Sequence, residues 1–347
     1  MDYWNLETID RIRKGYYSAV YFNRTREILL KERSTISVTM QIFQKNDNAV
    51  LCGMGEVIEL LKLATGYWKG SLWRSCWKQI AIEAHKDGDV VGTKEPVMHI
   101  SGPYQYFAHL ESLYLGILAR RTLVATNTKR AVEAAMGKPV IFFADRFDYF
   151  LNQEGDGYAA HVGGAAGGCT QAQASRWQGL LSGTIPHALI AVNGGDTVKA
   201  ARQFTKHFPD VPLIVLVDYK NDCVGMSLAV AKALEDRLWG VRLDTSEDMV
   251  DVSLKAIKDS HVHGVTPELV TRVRTALAAE GYSTVKIVVS GGFTPEKIRL
   301  FERQKIPVDI YGVGSSLLKG GNDFTADIVQ VNGKPEGKVG RTYRRIV

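Results

Sequence analysis

Beyond Gly137, short apolar runs alternate with helix-like segments, and no other feature of the sequence constrains the fold as strongly. Strands that are separated by helices run parallel, because a crossover connection returns the chain to the start of the next strand. Six such runs within about 180 residues predict an irregular β/α barrel that is short of the usual eight strands. The runs are PVIFFAD, HALIAVN, VPLIVLVD, LWGVRLD, KIVVSGG and VDIYGVGS.

The residues before Gly137 follow a different pattern, typical of a mixed α/β domain. ISVTMQIF and the segment 79–102 predict strands, GEVIELLKLATGYW predicts a helix, and the stretch 104–137 predicts a long helix. At the other end of the chain, FTADIVQVNGKPEGKVGR predicts a hairpin with its turn at NGKP. We expect this hairpin to return to the N-terminal domain.

The composition is that of a globular protein, with 45% hydrophobic and 23% charged residues. Apolar runs such as VPLIVLV are too short to span a bilayer, and the polar start MDYWNLETIDRIRKGYY is unlike a secretory signal. The four cysteines lie far apart and form no CxxC pair, which argues against a structural zinc site and predicts free thiols. We therefore expect a cytoplasmic protein with no membrane partner.

The net charge of +6 and the pI near 9.0 suit either nucleic acid or a small polyanionic substrate. Basic residues are spread along the chain, with clusters only at Lys129-Arg130 and in the tail GRTYRRIV. No helix-turn-helix, RNP or zinc-finger pattern accompanies them. We expect small-molecule substrates and no nucleic-acid partner.

Polar residues end most of the apolar runs, and in a parallel barrel these ends open onto one face. Arg146, Asp218, Arg242 and Asp244 stand at such ends. His187 follows Pro186 where two apolar strand-like runs join, in GLLSGTIPHALIAV, so we expect it at a strand end on that face. The alternative is a structural histidine that is hydrogen-bonded in the core.

Arg242 and Asp244 are two residues apart on one predicted strand, so both side chains point the same way. The forked donors of arginine suit a carboxylate or phosphate, and aspartate suits Mg²⁺ or sugar hydroxyls. The alternative is a mutual surface ion pair.

Two glycine-rich turns, SGGFTPEKI and YGVGSSLL, each follow a strand-like run near the end of the predicted barrel. Glycines let backbone N–H groups approach a ligand, and a helix start adds its positive dipole end, so the pair predicts a phosphate site. Elsewhere, Tyr21 either stacks on a flat ring or packs in a core. HVGGAAGGCTQ is either a segment that closes over the site or a plain loop.

Seven stretches, in this order along nearly the whole chain, resemble nicotinate phosphoribosyltransferase in its shorter archaeal and bacterial form. The most specific are the histidine motif and the tail; the seven are VYFNRT, EPVMHISGPYQYFAHLESLYLGIL, SGTIPHALI, VRLDTSED, VVSGGF, YGVGSSL and FTADIVQVNGKPEGKVGR. The resemblance implies an N-terminal open α/β sandwich at residues 1–115, joined by 325–347, and an irregular, incomplete β/α barrel at 116–324. It also implies a homodimer or higher homo-oligomer.

The resemblance further implies that nicotinate and phosphoribosyl pyrophosphate form nicotinate mononucleotide and pyrophosphate, in NAD salvage. Many members couple this reaction to ATP through a transient phosphohistidine, which His187 resembles. Tyr21 matches a tyrosine that stacks on the pyridine ring, and Asp244 matches a residue that contacts the ribose hydroxyls and Mg²⁺. Arg146 and Arg242 are similar to arginines that bind the nicotinate carboxylate or the phosphates. Further substrate contacts are expected at Thr184, Asp218, Ser290, Gly291, Gly292, Gly312, Gly314 and Ser315.

One departure from the family pattern lies at Phe147, because two adjacent arginines commonly follow this strand and here only Arg146 does. It motivates one alternative, a catalytically inactive relative kept as a binding or regulatory protein. A second alternative is a related enzyme that uses nicotinamide or quinolinate; quinolinate has two carboxylates and needs a denser basic pocket. A third is a barrel lyase or isomerase acting on a sugar phosphate, which gives no reason for Tyr21 or His187.

Overall fold

The computed structural model describes residues 3–257 and 262–346. The chain divides into two compact units, Met1–Thr126 with Gly320–Val347 (unit 1) and Asn127–Lys319 (unit 2). The boundaries predicted from the sequence, after residue 115 and before residue 325, stay a prediction; the first falls inside a long helix. Within the described ranges, no helix combines the length and the apolar character needed to cross a membrane.

The strands of unit 1 are β1 (Ser37–Gln44), β2 (Ala49–Val50), β3 (Gly66–Lys69), β4 (Leu72–Ser75), β5 (Ala81–Ala84), β6 (Val90–Val91), β7 (Pro96–Pro103), β15 (Phe324–Val331) and β16 (Lys334–Pro335). Five of them form an antiparallel sheet with the strand order β16-β15-β1-β7-β5. Strand β1 pairs with β15 on one side and β7 on the other, so the predicted C-terminal hairpin does return to this unit.

The helices of unit 1 are α1 (Leu6–Arg13), α2 (Val20–Lys31), α3 (Met54–Ala64) and the first part of α4 (Glu111–Ala134), whose residues after Thr126 belong to unit 2. Helix α4 begins later than the predicted 104–137, and the predicted helix GEVIELLKLATGYW ends before Thr65, which is extended.

Apolar residues of α3 and of β1 and β7 form the core of unit 1, with Leu61, Ile42 and Ile100 fully buried. The hairpin turn lies at Asn332 and Gly333, whose positive φ angles suit a tight turn, and not at the whole of NGKP.

The strands of unit 2 are β8 (Val140–Phe142), β9 (Gly167–Gly168), β10 (Leu180–Leu181), β11 (Leu213–Leu216), β12 (Leu238–Leu243), β13 (Lys286–Val289) and β14 (Ile310–Val313). They form one sheet, parallel throughout, with the order β10-β9-β8-β14-β13-β12-β11. Ile185, which follows the edge strand β10, forms an isolated parallel bridge with Val215 of the other edge strand, β11, so the sheet curves toward closure. The predicted α/β class with an irregular, incomplete barrel is therefore confirmed.

Helices cover the barrel and supply its crossovers. Asp196, Thr266 and Thr294 cap three of them by accepting a hydrogen bond from the backbone of the first turn. The helices of unit 2 are α5 (Gln153–Val162), α6 (Gln171–Ala174), α7 (His187–Val192), α8 (Thr197–His207), α9 (Cys223–Leu234), α10 (Pro267–Ala279) and α11 (Pro295–Arg303).

Two predictions for this unit were wrong. HALIAVN forms helix α7 and not a strand, because Pro186 takes the N-cap position and only Ile190 of the run is buried, while Val192 is 84% exposed. The glycine-rich segment HVGGAAGGCTQ contributes strand β9 to the barrel sheet, so it is part of the wall and not a plain loop.

Candidate active site

A cavity of about 470 Å³ opens at the carboxyl ends of the barrel strands, and unit 2 supplies all of its lining. Side chains reach it because residues at neighbouring parallel strand ends converge on one face. Of the predicted site residues, eleven line it: Arg146, Thr184, His187, Arg242, Asp244, Ser290, Gly291, Gly292, Gly312, Gly314 and Ser315.

Arg242, on β12, and Asp244, just beyond its end, form a closed network with Ser290. The Nε of Arg242 donates to Ser290 Oγ at 2.7 Å, and Ser290 Oγ donates to Asp244 Oδ1 at 2.5 Å. A 3.2 Å ion pair between Arg242 and Asp244 closes the ring, and Arg242 also donates to Thr184 Oγ1. The arginine and the aspartate are thus an ion pair, as the alternative reading proposed, but they line a cavity and not the outer surface.

His187 is the first residue of α7, and its Nε2 lies 3.0 Å from Oδ1 of Asp218. The histidine side chain is 44% exposed, whereas Asp218 is 7% exposed and lies behind it. The hydrogen bond from His187 to Asp218 raises the pKa of the imidazole, while burial and Arg242 act in the opposite direction. Asp218 was predicted as a substrate contact; here it holds the histidine ring.

Gly291 and Gly292 both have a left-handed backbone, with φ of 80° and 68°. Across the described residues, their N–H groups and those of Gly314 and Ser315 donate to no protein acceptor. Unpaired N–H groups at the mouth of a cavity, next to the start of α11, suit an anion.

Gly312 and Gly314 are glycines for a different reason, the close approach of two phenylalanine rings. A Cβ built at Gly312 would lie 2.6 Å from the Phe143 ring, and one built at Gly314 would lie 2.6 Å from the Phe147 ring. The Phe143 ring also contacts the Arg242 guanidinium, 4.8 Å from its centre. Because Gly312 has no side chain, the Phe143 ring can occupy the position in which it contacts Arg242.

We expect Gly312→Ala to lower kcat/KM by about 100-fold, because the displaced Phe143 ring would shift Arg242. The thermal midpoint should fall by only a few degrees. Steady-state kinetics and thermal melting of both proteins measure this, with Gly321→Ala as control, since its Cβ would meet nothing within 4 Å. Wild-type kcat/KM in a folded Gly312→Ala protein would contradict this role of the ring.

Sequence reasoning missed several lining residues, among them Phe143, Asp145, Cys169 and Ser182. Phe143 directly follows β8 and Asp145 lies two residues further along, at the end of the run PVIFFAD, so the rule of polar strand ends could have found Asp145. Cys169 follows β9, and burial raises the pKa of its thiol to about 12, so the thiol is protonated and donates to Gln173 Oε1. All four cysteines are free, as predicted.

The predicted roles of Arg146 and Tyr21 have fewer supporting contacts in the structure. Arg146 lines the cavity and contacts the Phe147 ring, but it forms no ion pair with a carboxylate of the described residues. Tyr21 belongs to unit 1, on α2, where the residue is 63% exposed and its ring packs against Phe22. Its role at a pyridine ring stays a prediction.

The described residues also contain no cluster of three or more histidine, cysteine or acidic side chains suited to a metal ion. The carboxylate of Asp244 does line the cavity. A single carboxylate fits a Mg²⁺ ion that arrives bound to substrate phosphates, because such an ion needs only one or two protein carboxylates.

Comparison with known proteins identifies similar sequences and folds. The family described as quinolinate phosphoribosyl transferase, N-terminal domain, matches residues 19–122. A nicotinate phosphoribosyltransferase of Mycobacterium tuberculosis is 30% identical over 269 residues, which are 74% of this chain and 55% of that protein. The nicotinate phosphoribosyltransferase of Bacillus subtilis is 26% identical over 67% of this chain and 44% of its own length. The chain thus spans about half the length of these two relatives.

Solved structures are similar over more of the chain. One described as nicotinate-nucleotide pyrophosphorylase from Pyrococcus furiosus has 32% identity and a TM-score of 0.83, over 99% of this chain and 82% of that one. Human nicotinic acid phosphoribosyltransferase, at 14% identity and a TM-score of 0.67, covers 94% of this chain and 77% of its own, and shows the same fold.

Proposed function

We propose, from the premise that this chain belongs to the nicotinate phosphoribosyltransferase family, that it joins nicotinate to the ribose of phosphoribosyl pyrophosphate. The products would be nicotinate mononucleotide and pyrophosphate, as in NAD salvage. The observation that carries the proposal is one cavity that combines an oriented arginine–aspartate pair, a histidine–aspartate pair and a turn of unpaired N–H groups.

In the proposed reaction, the pyridine nitrogen forms a bond to C1 of the ribose while the bond from C1 to pyrophosphate breaks. The ribose then carries oxocarbenium-like positive charge, and pyrophosphate leaves with the electron pair. Arg242 is held by Ser290, Thr184 and the Phe143 ring, so it offers its remaining donors to a phosphate or carboxylate without reorganisation. Arg146 has no carboxylate partner among residues 3–257 and 262–346, and it suits the nicotinate carboxylate.

Asp244 would contact the ribose hydroxyls and hold Mg²⁺. A bound Mg²⁺ would stabilise the negative charge of the leaving pyrophosphate. The 5′-phosphate would be held by the N–H groups of Gly291 and Gly292, together with those of Gly314 and Ser315, which line the same cavity. A protein with a net charge of +6 also favours the approach of a polyphosphate.

We further propose that ATP is a co-substrate and that His187 accepts its γ-phosphate. Asp218 accepts the Nε2 hydrogen, which leaves the lone pair of the neutral ring on Nδ1. Attack by Nδ1 forms an N–P bond and breaks the bond from phosphorus to the bridging oxygen, so ADP leaves. Asp218, buried behind the ring, then stabilises the cationic phosphoimidazole.

The raised pKa of His187 predicts a pH dependence of the ATP-stimulated rate. A protonated imidazole has no lone pair, so this rate should fall as the pH drops through the raised pKa, with its acid limb above pH 6.5. Asp218→Asn removes the charge that raises the pKa and should move the limb to lower pH. Rates with and without ATP, from about pH 5.5 to 8.5, test this. If the acid limb of Asp218→Asn lies at the same pH as that of the wild type, the proposed link between the pKa of His187 and the ATP-stimulated rate is wrong.

The proposed function is tested by incubating the protein with phosphoribosyl pyrophosphate, Mg²⁺ and either nicotinate, nicotinamide or quinolinate, followed by mass detection of the mononucleotide. We expect the nicotinate product to dominate. If only quinolinate or only nicotinamide gives a product, that compound is the substrate in place of nicotinate. Ligand binding with no product would favour the alternative of a catalytically inactive relative. The cytoplasmic location and the homodimer stay predictions; light scattering measures the latter.

A further inference from the structure

Lys297 lies beside the glycine turn but outside the cavity lining. It is the third residue of α11, where its backbone N–H donates to the Oγ1 of Thr294, the N-cap residue. Its Nζ donates to the carbonyl oxygen of Gly291 at 3.3 Å and lies 4.6 Å from the centre of the Phe293 ring.

The environment of this ammonium is unusual for a lysine. The side chain is half-buried and makes no ion pair with any carboxylate of the described residues, and burial lowers its pKa. The charge of Glu247, whose carboxylate lies against Gly292, acts on the pKa of Lys297 in the opposite direction to burial. The partly desolvated ammonium of Lys297 therefore stays in contact with a carbonyl group of the glycine turn, that of Gly291.

The geometry of the peptide bond connects this contact to the cavity. The carbonyl of Gly291 and the N–H of Gly292 belong to one trans peptide unit, and they point in opposite directions. Because Lys297 holds the carbonyl, the N–H of Gly292 points away from Lys297. A glycine with left-handed φ can rotate this peptide at little cost, so the direction of the N–H needs an external constraint.

Glu247 is a second neighbour of this turn. A Cβ built at Gly292 would overlap the carboxylate of Glu247, the end of an exposed and flexible side chain, so the glutamate would have to move to admit a side chain here. The side-chain hydrogen bond to the peptide between Gly291 and Gly292 comes from Lys297.

We propose that Lys297 is a positioning residue for phosphate binding: it fixes the peptide between Gly291 and Gly292 so that the Gly292 N–H is directed at the phosphate of the ribosyl substrate. This rests on the proposed function, and it adds a residue that acts through the turn and touches no substrate.

The test is calorimetric titration with ribose 5-phosphate and, separately, with nicotinate. Lys297→Met should weaken ribose 5-phosphate binding about 10-fold, the loss expected for one misdirected hydrogen bond to a charged group, and leave the nicotinate Kd within about twofold. Lys297→Arg keeps a cation and donors at this position and should restore binding to within about threefold. Arg299→Met is the control, since Arg299 is exposed on the same helix and its ion pair is with the neighbouring Glu296.

The steady-state readout should agree with the titration: KM for phosphoribosyl pyrophosphate should rise in Lys297→Met while kcat changes little. Lys297→Gln is the second variant should methionine prevent folding, and we expect it to weaken binding in the same way. Wild-type affinity for ribose 5-phosphate in folded Lys297→Met or Lys297→Gln would overturn the positioning role alone. A wild-type protein that binds neither ribose 5-phosphate nor phosphoribosyl pyrophosphate would overturn the proposed function and this role with it.

Discussion

Asp244→Asn is expected to lower kcat/KM for phosphoribosyl pyrophosphate by about 100- to 1000-fold, with only a small change in thermal midpoint. Asparagine keeps the shape of the side chain and can still accept from Ser290, so the strand end should fold normally. It removes the negative charge that balances Arg242 and that would hold Mg²⁺ or the ribose hydroxyls. Steady-state kinetics and thermal melting of both proteins make the comparison.

The matched control for this variant is Asp248→Asn, an exposed aspartate in the segment that follows β12. It changes the net charge equally but does not line the cavity. Near-normal turnover in a folded Asp244→Asn protein would remove Asp244 from the site.

His187→Ala is expected to abolish the ATP-dependent stimulation and to leave slow, ATP-independent formation of the mononucleotide. The reason is that the imidazole is the proposed phosphate acceptor, whereas the contacts of Arg242 and Asp244 do not involve it. Both proteins are assayed with and without ATP, and the wild type is examined for acid-labile phosphate after incubation with labelled ATP.

The control is His207→Ala, which alters an exposed histidine in the last turn of α8. If ATP stimulates His187→Ala as much as wild type, and wild type carries no acid-labile phosphate, the phosphohistidine role is wrong. His187 would then be a substrate contact or a structural residue.

The sequence predicted most of the barrel, because five of its seven strands are apolar runs long enough to be recognised. The four-residue run Leu213–Leu216 is fully buried, as a strand covered on both faces should be. HALIAV was misassigned because a short apolar run does not distinguish a strand from a helix by periodicity. Strand β9 consists of two glycines, which are unfavourable in strands, so its pairing with β8 and β10 reveals it and its sequence does not.

The sequence predicted which residues belong to the candidate site but not the contacts between their side chains. His187 and Asp218 were both named, yet their pairing across 31 positions depends on the bridge between Ile185 and Val215, which places the segment before α7 beside β11. Gly312 and Gly314 were interpreted as phosphate-binding glycines, and the rings of Phe143 and Phe147 that lie against them were not foreseen. Contacts between side chains of distant strands leave no local pattern, which is why they had to come from the structure.

The central claim is tested most directly by ³¹P NMR of one sample that contains the protein, Mg²⁺, nicotinate and phosphoribosyl pyrophosphate. We predict that the signals of phosphoribosyl pyrophosphate disappear while those of free pyrophosphate and of a nucleotide 5′-phosphate appear in equal amounts. Unchanged phosphoribosyl pyrophosphate, or its conversion to ribose 5-phosphate and pyrophosphate without the nucleotide signal, would contradict the proposed transfer.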